Sequence, residues 1–447
     1  MKKILAFVIA LFIFSGFCFV EAKPKAIKKD FESVINEFGV DKDSLAVSIK
    51  NAENGKVIYS LNDKMLMNPA SVQKVLTTPV VVDTLGEDYE FSTEIYSRGN
   101  EAILKLGADP YLSSKNLKTL VGKLSKDTTR IYIDAKALDN KFWGEGWQWD
   151  DDMNVLMPRF GSYNLDGNLI KLTIVPTEDA PFAMILNPSK YPLVFFNNVV
   201  KGDKTALDIH RDSVVSANTL VLSGTVARAT TVYIPTADLK RYFNVQLTRI
   251  LEDKNLYFKH SITESEINDS DLLLEKVVHP INQAVVDVLK NSNNLVSETM
   301  FKLAGGKYCN LKSGTDSAGI KMFNDYCVKN KLDNSRIRIT DASGVSKNNL
   351  VSADFVSEFL LVNKNNKIME NLPSPGEGTL TNRLLPIKNN LKAKTGTLSD
   401  ISSIAGYLTT RSGKKIVFCI MLNDMKLSAS DKKMLEDYIL REAYLSL

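Results

Sequence analysis

The sequence predicts a multi-domain α+β protein: an antiparallel sheet with helices against it, interrupted by a large β-rich insertion. Three observations predict it. Alternating apolar residues form hairpin-like pairs near both ends of the chain. Helical apolar spacing follows the first pair and precedes the second. Between about Gly86 and His260, short β-like runs alternate with turn residues. With 447 residues, the chain has room for two or three domains.

Taken in order, Lys2 and Lys3 lead an apolar run over residues 4–20, and Val20-Glu21-Ala22 ends it on a small residue. This reads as a secretory signal peptide cleaved near Ala22, since the run is short for a permanent spanning helix. Leu45, Val47 and Ile49 then alternate, Asn54-Gly55 turns, and Val57, Tyr59 and Leu61 alternate again, which is a hairpin. From Ser71 the pattern is helical, with Val75, Val80 and Val81 apolar and Pro69 just before it, so Ser71 falls at the first turn.

The region 86–261 reads as an insertion, with β runs around Ile131, Leu172, Leu220 and Val232. Helical spacing returns at Ile281, Val285 and Val288, and again at Val296, Met300 and Leu303, where Gly305-Gly306 is expected to stop the helix. Ser292-Asn293-Asn294 lies in the break between those two helices. A strand is expected from Leu391, a hairpin over 404–410 and 415–422, and a final helix over 431–444 that docks on the sheet.

Several function classes are excluded. Net charge is only +4, and no basic run interleaves with aromatics, so nucleic acid is not a partner. His210, His260 and His279 are scattered, so no catalytic metal and no cofactor is implied. Export would permit a disulfide between Cys309 and Cys327, which flank a predicted helix; spacing leaves open whether they meet. Cys419 sits in an apolar run that reads as a buried strand.

Three short strings carry chemistry. Ser71-Val72-Gln73-Lys74 places a hydroxyl and an amine at i and i+3 on one helical face. A serine needs a base to take its proton, and a buried lysine becomes that base when its pKa is lowered. Ser412/Lys415 and Ser430/Lys433 share the spacing, but the first crosses a hairpin turn and the second caps an exposed helix. The second string, Ser292-Asn293-Asn294, is chosen over Ser162-Tyr163-Asn164 by its place at a helix break. The third, Lys394-Thr395-Gly396-Thr397, occurs once and offers a cation and hydroxyls to a carboxylate. Gly396 would let an extended peptide lie antiparallel to the strand, with the N–H groups of Ser71 and Thr397 forming an oxyanion hole.

In this order the strings resemble those of the penicilloyl serine transferases, which share S-x-x-K, S-x-N and K-T-G. Pro69-Ala70-Ser71-Val72-Gln73-Lys74, Asp341-Ala342-Ser343-Gly344-Val345-Ser346, residues 391–398 and Gly146-Trp147-Gln148-Trp149-Asp150-Asp151 narrow the resemblance. They are similar to the penicillin-binding protein 4 type of D-Ala-D-Ala carboxypeptidase/endopeptidase. The 221 positions between Ser71 and Ser292 leave room for the insertion typical of that type. Ala342 and Asn293 depart from the usual glycine and aspartate.

The resemblance implies a β-lactamase/transpeptidase-like catalytic domain split over 23–85 and 262–447. It implies peptidoglycan stem peptides as substrates, β-lactams as inhibitors, a periplasmic or cell-envelope location and at most peripheral membrane contact. It assigns Ser71 as nucleophile, Lys74 as base and Ser292 as proton relay. Asn294 would orient Lys74, Lys394 would set the local potential, and Thr395 and Thr397 would hold the terminal carboxylate. Trp147, Trp149 and Asp150 would either frame an amine-bearing side chain or, for the tryptophans, pack inside the insertion; Ser343 would line the site from a loop.

Overall fold

The two hairpins read from the sequence meet in one sheet. In the computed structural model, which describes residues 31–256, 265–424 and 426–447, five antiparallel strands run in the order Leu391–Thr397, Ile401–Thr409, Lys415–Asn423, Leu45–Asn51 and Val57–Leu61. The expected signal peptide and His260 lie outside the described residues.

The central strand explains the layering. Val417, Cys419 and Met421 enter one core with Val75, Leu76 and Phe355, while Ile416, Phe418, Ile420 and Leu422 enter another with Leu435 and Ile439. Successive side chains point to opposite faces, so a continuous apolar run is what a strand covered on both sides requires. Helix Ala353–Val362 packs on the first face; the final helix Ala429–Ser446, joined by Phe31–Glu37, packs on the second.

Two helices buried on nearly all sides, Gln73–Leu85 and Asn294–Tyr308, form the interior behind the sheet's edge. The second runs straight through Gly305-Gly306, where a stop was expected. A Cβ on Gly305 would lie 2.2 Å from the Gly319 nitrogen of helix Asp316–Lys329. The glycines therefore serve close helix packing, not termination.

Cys309 and Cys327 are both free, so the pairing left open by the sequence does not form. Cys309 Sγ faces the Ala318 carbonyl at 4.0 Å, near the start of helix Asp316–Lys329. Cys327 is nine residues further along, about 13 Å at the helical rise. It is buried, which pushes its thiol up to about 12. Cys419 is also buried, in the central strand.

The β-rich stretch forms three smaller sheets around its own core, with Ile95, Leu104, Ile133, Leu172, Leu222 and Phe243 inside. One of them pairs Glu90–Arg98 with Leu272–Pro280, a strand beyond position 261 that the sequence reading did not find. Pro280 then caps helix Ile281–Lys290, so this sheet leads directly into the element that ends two residues before Ser292. The fold class is the multi-domain α+β expected.

Candidate active site

Ser71 sits in a single 3-10 turn, Ala70–Val72, which opens the buried helix Gln73–Leu85. The residue before it, Ala70, holds φ +44°, a left-handed conformation that costs an L-residue energy and persists only where its surroundings enforce it. Here Asn68 Oδ1 accepts the Ala70 N–H at 2.8 Å, and Ser403 Oγ donates to the Pro69 carbonyl at 2.6 Å. The Ser71 turn is thus tied to the neighbouring sheet.

Lys74 is fully buried. Its Nζ lies 2.9 Å from Ser71 Oγ, 2.6 Å from Asn294 Oδ1 and 2.7 Å from the Ser343 carbonyl. Burial pushes its pKa down to about 7, against the opposing pull of the Asp341 and Glu298 carboxylates. An amine one turn from a hydroxyl, poised near neutrality and held by two acceptors, can take that hydroxyl's proton.

Asn294 opens the helix Asn294–Tyr308, with Asn293 Oδ1 capping the Val296 N–H at 3.2 Å. Its amide nitrogen donates to the Leu156 carbonyl at 2.8 Å, which fixes its oxygen toward Lys74. Ser292 sits two residues earlier at φ +63°, and its hydroxyl makes no hydrogen bond among the described residues. Two left-handed non-glycine residues, Ala70 and Ser292, therefore lie in or beside the two predicted serine motifs.

The edge strand Leu391–Thr397 brings in the third string. Lys394 is fully buried and donates to the Thr395 carbonyl at 2.8 Å; burial, and then the nearby Lys74 charge, hold its pKa well below the usual lysine value. Thr395 Oγ1 is 2.7 Å from Thr379 Oγ1, and Thr397 is exposed at the strand end. A Cβ on Gly396 would lie 2.7 Å from the Ser71 nitrogen and 2.8 Å from the Pro69 carbonyl. The glycine is thus required by the approach of the strand to the Ser71 turn.

The tryptophan string divides. Trp147 is 6% exposed, with its Nε1–H donated to Asp341 Oδ2 at 2.8 Å, so its indole packs in the wall. Trp149 is 87% exposed and Asp150 is exposed beside it in the short turn Trp149–Met153. The structure does not bring Trp147 and Asp150 together into one pocket.

Three groups escaped the sequence reading. Glu298 is fully buried and accepts the N–H groups of Ala342 and Ser343 at 3.2 and 2.8 Å. Burial pushes its carboxyl up to about 8, aided by the Asp341 charge. It stands one helical turn beyond Asn294, an i, i+4 relation that was available as a signal. Leu156 contributes only a carbonyl and Thr379 only a neighbouring hydroxyl, and neither carries a local pattern.

Known proteins resemble this chain over most of its length. The model of the D-Ala-D-Ala carboxypeptidase 3 (S13) family matches residues 27–442. D-alanyl-D-alanine carboxypeptidase DacB of Haemophilus influenzae is 23% identical over 411 residues, 84% of this chain and 84% of that protein. The D-alanyl-D-alanine carboxypeptidase of an Actinomadura species is 23% identical over 446 residues, 90% of this chain and 82% of that protein. The crystal structure of penicillin binding protein 4 (dacB) from Haemophilus influenzae matches with a TM-score of 0.80 at 21% identity, covering 93% of this chain and 100% of that one. With one family model spanning every string of the site, the chain belongs to the D-Ala-D-Ala carboxypeptidase 3 (S13) family.

Proposed function

We propose that this chain is a serine D,D-peptidase that cleaves the bond after a D-alanyl residue in peptidoglycan stem peptides, releasing terminal D-alanine or opening cross-links. The observation that carries the reading is the buried Lys74 amine, 2.9 Å from Ser71 Oγ and held by Asn294 and the Ser343 carbonyl. Neutral Lys74 takes the Ser71 proton as Oγ attacks the carbonyl, forming an ester and breaking the amide bond. Ser292 passes a proton to the departing amine. Water then hydrolyses the ester and restores Ser71. The N–H groups of Ser71 and Thr397 meet the oxyanion, and Thr395 meets the terminal carboxylate.

A related structure of Haemophilus influenzae penicillin binding protein 4 is complexed with a β-lactam. In this reading Ser71 is acylated by β-lactams, whose ring mimics the peptide and whose ester is slow to hydrolyse. Asp150, exposed in the turn six residues before Leu156, would meet an amine on the stem-peptide side chain. The enzyme works outside the cytoplasm after removal of residues 1–22; among the described residues no helix is long and apolar enough to cross a membrane.

The reading is tested by incubating the protein with fluorescent penicillin and, separately, with a pentapeptide ending in D-Ala-D-Ala. A persistent covalent band and released D-alanine are expected. No band sinks the acyl-enzyme, and a band that turns over within seconds makes the protein a β-lactamase.

The pH dependence has a defined sign. A base must be unprotonated, and Lys74 titrates near 7 because burial disfavours its charge. Acylation kcat/KM therefore rises as pH increases through about 7 and levels above it. A profile flat from about pH 5.5 to 8.5 would remove Lys74 as the base.

A further inference from the structure

We propose that the turn Ser374–Leu380 closes the end of the cleft where the leaving group emerges, and that Thr379 contacts the carboxylate of the departing residue. The proposal rests on the D,D-peptidase reading of the site.

The edge strand supplies the geometry. Leu391–Thr397 is the outermost strand of its sheet. Ala393 donates its N–H outward to the Pro373 carbonyl at 3.0 Å. Residues two apart face the same side, so Thr395 and Thr397 also face outward. A peptide pairing antiparallel to this edge runs from Thr397 toward Thr395 as its own numbering increases.

With the scissile carbonyl at the Thr397 N–H, the next residue lies opposite Gly396, and its carboxylate reaches toward Thr395. There the free edge ends, because Ala393 is already paired. With Thr379 standing against Thr395, the cleft holds one residue beyond the scissile bond. Its carboxylate meets two hydroxyls, Thr395 Oγ1 and Thr379 Oγ1, which stand 2.7 Å apart.

The turn is braced where a partition should be. Glu377 Oε2 pairs with Lys290 Nζ at 3.1 Å, and Gly378 lies against the Lys290 carbonyl. Lys290 ends the helix that precedes Ser292. The Gly376 N–H closes onto the Leu380 carbonyl at 3.0 Å, and Leu380 is buried. The turn therefore spans from the edge strand to the helix end beside Ser292. Behind it lies a cavity of about 900 Å³, lined by Ser374 and Glu377 together with Lys388, Asn390, Lys392 and Tyr407. A departing alanine fits in front of the turn, whereas a larger departing residue must push it toward this cavity.

Thr379→Val keeps the shape and removes the hydroxyl. Steady-state rates are compared on two peptides, one ending in D-Ala-D-Ala as the free acid and one as the C-terminal carboxamide. The preference for the acid should fall about tenfold or more, through KM, and Thr379→Ser should restore it. Equal losses on both peptides, or an unchanged preference, would overturn the carboxylate contact.

Glu377→Ala releases the brace and should raise cleavage of a cross-linked dimer, relative to the pentapeptide, by about threefold. No gain there would overturn the closure. Wild-type protein that takes no fluorescent penicillin would overturn the peptidase reading, and this proposal with it. Labelled wild type with an unchanged preference in Thr379→Val overturns this proposal alone.

Discussion

Lys74→Met should lower kcat/KM for D-alanine release by about 10³- to 10⁴-fold while leaving the protein folded. Methionine fills nearly the same volume in a fully buried site, so packing is kept. What is lost is the amine hydrogen-bonded to Ser71 Oγ, and with it the route for the serine proton.

The stability effect has the opposite sign. A lysine whose folded pKa is depressed from 10.5 to about 7 binds its proton more tightly when unfolded. Its cost is full below pH 7, shrinks as pH rises from 7 to 10.5, and vanishes above. The urea midpoint of Lys74→Met should therefore equal or exceed that of the wild type at pH 7, with the gap narrowing toward pH 10. The Asn294 oxygen and the Ser343 carbonyl lose a donor, which offsets part of the gain. A folded variant retaining more than a tenth of wild-type kcat/KM would dismiss Lys74 as the base.

Asp341→Ala should destabilise the protein by about 3–5 kcal/mol, read from the urea midpoint. The carboxylate is 2% exposed and accepts four hydrogen bonds: Trp147 Nε1–H at 2.8 Å, Gly344 N–H at 2.8 Å, Ser346 N–H at 2.6 Å and the Asn349 amide at 2.7 Å. Alanine leaves all four donors buried without this acceptor, and each orphan costs about 1–3 kcal/mol before relaxation. The same loop presents the Ser343 carbonyl to Lys74, so catalysis should fall with stability.

Asp341→Asn shifts the balance between the two effects. Its oxygen keeps two of the four contacts, its NH2 faces the other two donors and so still costs stability, and it removes the charge that holds the Lys74 pKa up. The rising limb of the pH–rate profile should then move to lower pH. A loss below about 1 kcal/mol in Asp341→Ala would show that the loop is held by other contacts.

Ser71, Lys74 and Asn294 were legible because each motif is local and its place on a helix start is written in the residues around it. The hairpins at Leu45 and Lys415 were legible because alternation is a property of the strand alone. Elements fixed by distant contacts were not. Gly305-Gly306 reads as a helix stop until helix Asp316–Lys329 lies against it. Leu272–Pro280 carries no clean alternation and becomes a strand by pairing with Glu90–Arg98.

Trp147 shows the same limit from the other side. An aromatic beside an acid suggested a pocket, but its partner is Asp341, nearly two hundred positions away. Thr379 had no signal at all: a threonine before Leu380 becomes noticeable only when the edge strand passes at hydrogen-bond distance.

The pairing of Leu45–Asn51 with Lys415–Asn423 has a consequence for how the chain matures. During synthesis the first hairpin is made early, and the strand that will cover its open side begins 354 positions after Leu61, at Lys415. Contacts of such sequence separation form slowly, and an unpaired apolar edge invites wrong partners meanwhile. Val47 and Ile49 therefore need protection until the last tenth of the chain emerges. Any copy cut short before Lys415 lacks the strand that joins the two halves of the sheet, so the growing cell obtains no cutting activity from unfinished enzyme.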